Sequence, residues 1–242
     1  MRLPALPAAA LRAALPGPPA APYFPPMNIL LLGPPGAGKG TQGERIAQHF
    51  GIPKLATGDV LRAAVREGTA QGARARGYME RGELVPNGVI LGIMKEALAR
   101  PDAARGVVLD GVVRTVPQAE GLDRVLGELG RTLDIALIFN VDEDEVVRRI
   151  SARTMCENCQ TPYAGREPGS SCEKCGGTVV RRKDDEPDAV RTRLRAYHEQ
   201  TAPVIEWYRA ASAKGGPTRV VEIDAEGAVD RITQRVLGAL DS

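Results

Sequence analysis

The sequence predicts an α/β fold, a parallel five-stranded sheet flanked by helices. Three observations predict it. Strand-like apolar runs alternate with helix-like amphipathic segments along most of the chain. The first run, Ile29-Leu30-Leu31-Leu32, leads into a glycine-rich loop and then a helix. Five such runs recur, at 28–32, 53–56, 106–110, 134–140 and 219–223.

The loop after the first run reads Gly33-Pro34-Pro35-Gly36-Ala37-Gly38-Lys39-Gly40-Thr41-Gln42. Its glycines allow backbone conformations closed to other residues and let a phosphate come close. Successive N–H groups of Gly36, Ala37, Gly38 and Gly40 then face one concavity at the positive end of a helix. Lys39 adds a mobile positive charge, and Thr41 a hydroxyl for phosphate or magnesium. A tight turn without a ligand explains the glycines but not a Gly-Lys pair followed by a hydroxyl residue.

The helix after the loop spans 38–50. Helices follow at 58–67, opening at Gly58-Asp59, then at 71–81, 87–99 and 116–128. Asp142 starts one over 142–152, and the last two span 188–212 and 226–240. Pro203 kinks the 188–212 helix or breaks it in two. Two stretches depart from simple alternation. One is 57–85, helical and rich in Arg and Gly; the other holds all four cysteines and spans 152–185. Both read as insertions that project over the sheet edge where the loop sits. The core then comprises 27–56, 86–151 and 186–242.

At 242 residues the chain can bury a full core. Its 32 basic and 30 acidic residues leave a net charge of +2, so no global field argues for nucleic acid or a membrane surface. No apolar run reaches the length of a membrane span. Nothing demands more than a monomer, and the expected location is the cytoplasm. Residues 1–26, rich in Ala, Pro and Leu, read as a disordered extension or a start assigned too early, with Met27 opening the first strand.

Cys156-Glu157-Asn158-Cys159 and Cys172-Glu173-Lys174-Cys175 form two Cys-x-x-Cys knuckles twelve residues apart. That spacing points to one tetrahedral zinc. Disulfides fit less well in a protein built around an intracellular nucleotide. Four thiolates leave no open coordination position, so the metal is structural and stands in for a core the insertion cannot build. A zinc ribbon that binds nucleic acid is the rival reading. It lacks support, since Tyr163 is the segment's sole aromatic residue.

Phosphoryl transfer between two phosphorylated substrates needs charge neutralisation and alignment. Arg62, Arg114, Arg149, Arg153, Arg182 and Arg193 stand out by their surroundings. Arg62 follows Thr57-Gly58-Asp59, and Arg114 follows the strand ending Leu109-Asp110-Gly111. Arg149 and Arg153 lead into the cysteine segment and Arg182 leaves it. Asp110 closes a buried strand at its carboxyl end, where ligands bind in open α/β sheets, and suits magnesium held through water. His49 and His198 lack a cysteine or histidine neighbour and read as packing or surface residues, and Trp207 reads as core.

Taken together these residues closely resemble adenylate kinase, over about 27–240. The carriers are the Gly33–Gln42 loop, Thr57-Gly58-Asp59 with Leu61-Arg62, and Gly82-Glu83-Leu84-Val85-Pro86. They continue in Arg114-Thr115-Val116-Pro117-Gln118-Ala119, Arg182-Lys183-Asp184-Asp185 and Arg191-Thr192-Arg193-Leu194. The zinc segment is similar to the lid of the metal-binding bacterial branch.

The resemblance implies a P-loop NTPase-type fold with an AMP-binding flap and a zinc-bearing lid. It also implies reversible transfer from ATP to AMP, giving two ADP, with Mg²⁺. Lys39 and the amides of Gly36 to Thr41 would hold the ATP phosphates. Arg149, Arg153, Arg182 and Arg193 would surround the transferring group. Pro162 and Tyr163 would pack on the ATP base, which also meets Gly227. AMP would be held by Thr57, Arg62, Gly111, Val112, Val113, Arg114, Gln118, Arg182 and Arg193, with the backbone of Glu83, Leu84 and Val85 completing the adenine pocket.

Two departures matter. Where the family usually carries Asp-Gly-Phe-Pro-Arg, with a cis proline, this chain has Asp110-Gly111-Val112-Val113-Arg114. A non-proline cis bond costs about 3 kcal/mol, so a trans peptide is expected here, with weakened AMP affinity. The loop between the knuckles is also shorter than is usual in zinc-bearing lids. Two alternatives therefore stay open: a related nucleoside monophosphate kinase with another acceptor, and a nucleotide-binding protein impaired by Val112-Val113.

Overall fold

The computed structural model describes residues 25–241. The reading of the extension falls, apart from its last two residues, outside them. The main sheet has five parallel strands in the order β2-β3-β1-β4-β8: Lys54–Ala56, Gly106–Asp110, Met27–Leu32, Ile135–Asn140 and Arg219–Asp224. The order reverses about β1, and the carboxyl ends of all five strands lie along one edge. A crevice at such a reversal is where open α/β sheets bind ligands.

Alternation along β1 sorts its side chains between two cores, because successive strand residues point to opposite faces. Leu30 and Leu32 face one way, against helices α4 (Asn87–Leu98), α5 (Val116–Glu128) and α8 (Ala202–Ala213). Met94, Leu122, Leu126, Val204 and Tyr208 complete that core. Ile29 and Leu31 face the other way, against α1 (Lys39–Phe50) and α9 (Val229–Leu240), with Ile46, Phe50, Phe139 and Val236. Both faces are covered, which is why the strands read as continuous apolar runs.

The 57–85 stretch forms α2 (Thr57–Arg66) and α3 (Ala70–Arg81), packed on each other. Thr69 caps α3, its hydroxyl accepting the Gly72 N–H at 3.0 Å. After α6 (Glu143–Ser151) the cysteine segment forms three antiparallel strands, absent from the sequence expectation. These are β5 (Arg153–Cys156), β6 (Pro162–Ala164) and β7 (Val179–Val180), in the order β6-β5-β7. They are two to four residues long and carry no apolar alternation to betray them.

The helix expected over 188–212 is corrected to three pieces. These are α7 (Pro187–Ala196), a π-turn over Tyr197–Thr201, and α8. Pro203 cannot donate a backbone hydrogen bond and crowds the preceding turn, so the chain widens before it and restarts with proline in its first turn. Likewise α9 begins at Val229 rather than 226, because Gly227 holds φ +94° and Ala228 is extended. The α2 helix begins one residue before the expected Gly58.

Tyr208 is completely buried, and its hydroxyl finds no hydrogen-bond partner among the described residues. A buried unpaired hydroxyl costs stability. Tyr208→Phe is therefore expected to raise unfolding stability in urea by about 1–2 kcal/mol. A loss of stability would reveal a partner for that hydroxyl.

Candidate functional site

A cavity of about 690 Å³ opens at the carboxyl ends of β1 and β3. Its floor is the loop after β1. Gly33 makes this loop possible: at φ +139° a side chain there would meet the Phe139 carbonyl of β4 at 2.7 Å. Gly36, Gly38, Lys39, Gly40 and Thr41 line the floor, while Ala37 is turned into the core beneath it. The Lys39 ammonium donates to the carbonyls of Gly33 and Pro34, both at 2.7 Å.

One wall comes from α2, from Glu83-Leu84-Val85 and from the segment after β3. Thr57 and Arg62 face the cavity here, as do Asp110, Gly111, Val113, Arg114 and Gln118. The Val112 side chain does not; it is buried in the core beside Val113. Among the described residues every peptide bond is trans, the Val112–Val113 bond included. The turn is held by polar contacts instead. The Thr57 hydroxyl donates to the Gly111 carbonyl at 2.7 Å. The Arg114 N–H donates to Gln118 Oε1 at 2.7 Å, and the Arg114 carbonyl accepts the Thr201 hydroxyl at 3.0 Å. Gln118 Nε2 donates to Asn87 Oδ1 at 2.8 Å, so both ends of this buried amide are engaged.

The opposite wall carries Arg149, Arg153, Pro162, Tyr163, Arg182, Arg193 and Gly227. Asp185 organises this side. Its side chain is 0% exposed and takes both Arg153 Nε, at 2.8 Å, and Arg153 Nη2. Arg193 Nη1 approaches the same carboxylate at 3.0 Å and the Asp184 carboxylate at 3.2 Å. One buried aspartate thus joins β5 to α7. Arg149 is held apart, donating to Glu145 at 2.6 Å and to the Ala225 carbonyl at 2.9 Å.

So much positive charge in one cleft alters its own acid–base chemistry. Water reaches Lys39 through the cavity, but protein surrounds it on every other side. Burial lowers its pKa to about 8; Asp110 opposes the shift, and Arg114, Arg193 and Arg153 add to it. Burial, then Arg193, lowers Arg114 to about 10. Burial, then Arg62 and Arg153, does the same to Arg182. Burial also works against Arg153, but the Asp185 bond and charge outweigh it and raise its pKa. Such an interior suits a polyanion, and the floor suits its phosphates.

The four cysteine sulfurs lie within 4.8 Å of one another. Cys156 and Cys175 are 3.5 Å apart, and Cys159 and Cys172 3.6 Å. Tetrahedral zinc with sulfur ligands at 2.3 Å needs edges of about 3.8 Å, so the set fits a four-thiolate site. All four are free thiols. The Tyr163 hydroxyl, 3.1 Å from its sulfur, lowers the Cys172 pKa to about 6. The Gly177 N–H works to lower that of Cys175, but the crowding of Cys159 and Cys156 raises it to about 12.

Sequence reasoning missed Asp185, Asn87 and Thr201. The Asp184-Asp185 pair among arginines was the available signal for the first; the other two act through contacts distant in sequence. The lone histidines pair with surface acids, His49 with Asp241 at 3.4 Å and His198 with Glu143 at 3.1 Å. Trp207 is half-buried, edge-on to Tyr208 at 4.7 Å.

Comparison with known proteins agrees with this geometry. Residues 31–213 match the family model described as adenylate kinase. A protein of Gemmatimonas aurantiaca named adenylate kinase is 60% identical over 88% of this chain and 99% of its own length. One from Salinispora tropica is 43% identical over 89% of this chain and 99% of its own. One from Archaeoglobus fulgidus is 48% identical over 76% and 86%.

Removing the Asp185 carboxylate strands two guanidinium groups. Because both face the cavity and its water, Asp185→Ala is expected to cost about 2–3 kcal/mol, below the figure for a sealed pair. Sulfate should restore more stability to the variant than to the parent, read as the melting temperature against sulfate concentration. Equal sulfate responses would show that Asp185 does not neutralise the pair.

Proposed function

The chain belongs to the adenylate kinase family, and we propose that it runs the family reaction through the cavity described above. The terminal phosphoryl group of ATP passes reversibly to AMP, giving two ADP, with Mg²⁺ on the nucleotide. Its role would be the balance of adenine nucleotides. One observation carries the reading: Lys39 and guanidinium groups from both walls converge on a single cavity with a phosphate-binding floor.

Lys39 and the amides of Gly36 to Thr41 hold the ATP phosphates in this reading. Arg153, Arg182 and Arg193, with Arg149 beside them, neutralise charge on the transferring group. Asp110 and Thr41, both on the cavity, suit the water shell of magnesium, which would supply further charge neutralisation between the phosphates. Thr57, Arg62 and Arg114 grip AMP, against the backbone of Glu83 to Val85. Gln118 would read adenine with the second N–H of its Nε2 and the second acceptor position of its Oε1, while Asn87 and the Arg114 N–H hold the amide in place. No general base is needed, since alignment and charge govern this chemistry.

The AMP-binding insertion is 57–85, the zinc-binding lid 152–185, and the remainder from 27 the core. The two-helix and three-strand units at those positions support the division. Closure of both over the cavity would exclude water and suppress hydrolysis. No helix among the described residues is long and apolar enough to cross a membrane. The near-balanced charge and the free thiols support a cytoplasmic monomer with no nucleic-acid partner.

Coupled detection of ADP, with AMP, CMP, UMP and GMP as acceptors, tests the reading. AMP should be preferred, and Lys39→Met should lower turnover about a hundredfold or more. A normal rate in that variant, or a preference for another acceptor, overturns it.

The depressed Lys39 pKa adds a pH signature. Above pH 8 the free protein loses this proton, and phosphates binding beside the ammonium restore it. ATP affinity should therefore fall as pH rises past 8. Calorimetry near that pH, in buffers of differing ionisation enthalpy, should detect proton uptake that Lys39→Met abolishes. Equal uptake in both proteins would remove Lys39 from the phosphate site.

A further inference from the structure

Tyr163 stands at two sites at once. Its side chain lines the nucleotide cavity beside Pro162, and its hydroxyl reaches Cys172 Sγ at 3.1 Å. That hydroxyl oxygen also accepts the Glu173 N–H at 3.1 Å. An oxygen that already accepts this bond has its own proton to give. A metal-bound thiolate has none, so the hydroxyl is the donor to the sulfur.

The contact crosses the lid. Tyr163 lies on β6, just after the first knuckle, and Cys172 and Glu173 belong to the second. Arg166 closes the arrangement: its guanidinium lies 5.0 Å from the Tyr163 ring centre, donates to the Ser171 carbonyl at 2.7 Å, and pairs with Glu173. The ring therefore cannot shift toward or away from the cavity without disturbing the second knuckle. Thr161 offers a contrast. Its hydroxyl also lies 3.1 Å from a cysteine sulfur, that of Cys159, but it is not part of the cavity wall.

We propose that Tyr163 is a positioning residue that ties the four-cysteine site to the ATP side of the cavity. Its hydroxyl relieves the excess negative charge of four thiolates around a divalent ion, and the same bond fixes where its ring meets the nucleotide. Loss of the metal should then be felt as weakened ATP binding, with AMP binding spared. The nucleotide half rests on the proposed function; the metal half does not.

The test uses the full zinc-loaded chain and two variants. Tyr163→Phe keeps the ring and its packing but removes the hydroxyl, and Thr161→Val removes the control hydroxyl. Zinc affinity is read by competition with a chromophoric chelator without nucleotide, and ATP and AMP affinities by calorimetry at saturating zinc. Tyr163→Phe is expected to weaken zinc by about tenfold or more, the usual effect of losing a partner of a metal ligand. It should also weaken ATP severalfold and leave AMP unmoved. Thr161→Val should weaken zinc and leave both nucleotides unmoved. Unchanged zinc affinity in Tyr163→Phe overturns the hydroxyl–thiolate bond. Weakened zinc with ATP unmoved, or with ATP and AMP weakened alike, overturns the tie between the sites. Failure of the parent chain to bind ATP at all would instead overturn the proposed function, and the zinc comparison would still report.

Discussion

Mutual repulsion among buried cations is the constraint on which the site depends. Two unit charges about 6 Å apart at an effective dielectric near 20 repel by about 3 kcal/mol, and this cleft gathers a lysine and several guanidiniums. The protein answers with carboxylates, one of which, Asp185, is buried deeper than the cations it serves. Asp185 lies behind Arg153 and Arg193, and Asp110 faces Lys39. Burial first, and then the neighbouring guanidiniums, leave Lys39, Arg114 and Arg182 holding their protons less firmly than in water. A cleft left in that state is complementary to added negative charge.

The fold makes such a gathering feasible. Parallel strands deliver every connection from a carboxyl end to one edge, so residues far apart in sequence meet there without a dedicated scaffold. The alternation of Ile29, Leu30, Leu31 and Leu32 between two cores holds the phosphate loop from both sides. The lid cannot use the same device. Its buried apolar cluster is Cys156, Cys172 and Val179, with Cys159 and Tyr163 packed against it. A metal held by the four thiolates would supply the cross-link that so small an apolar cluster lacks.

What was legible in the sequence was local. The Gly33–Gln42 loop, the strand before it and the two cysteine knuckles each express their chemistry within a few residues, and the structure brings the loop and the singled-out arginines to one cavity. What was not legible depends on partners far along the chain. Thr201 acts on the Arg114 carbonyl across 87 residues, and Asn87 acts on Gln118 across 31. The π-turn at Tyr197–Thr201 was hidden because nothing in its composition separates it from an α-helical turn, and only Pro203 hinted that the helix would break. The three strands of the cysteine segment were hidden because they run only two to four residues and carry no apolar alternation. The turn through Val112-Val113 is held by the Thr57 hydroxyl on the Gly111 carbonyl, the Arg114 N–H on Gln118 Oε1 and the Thr201 hydroxyl on the Arg114 carbonyl, contacts that no local pattern announces.

The two hydrogen bonds at Gln118 have a further consequence. Its Oε1 accepts the Arg114 N–H and its Nε2 donates to Asn87, so each end of the carboxamide keeps one hydrogen-bonding position in reserve. Together they fix the rotation of the amide, because oxygen and nitrogen cannot exchange places without both bonds breaking. A ligand edge meeting this side chain would find a donor and an acceptor in a set order, and an edge with the reverse order would face donor against donor and acceptor against acceptor. Discrimination at such a position comes from orientation settled in advance.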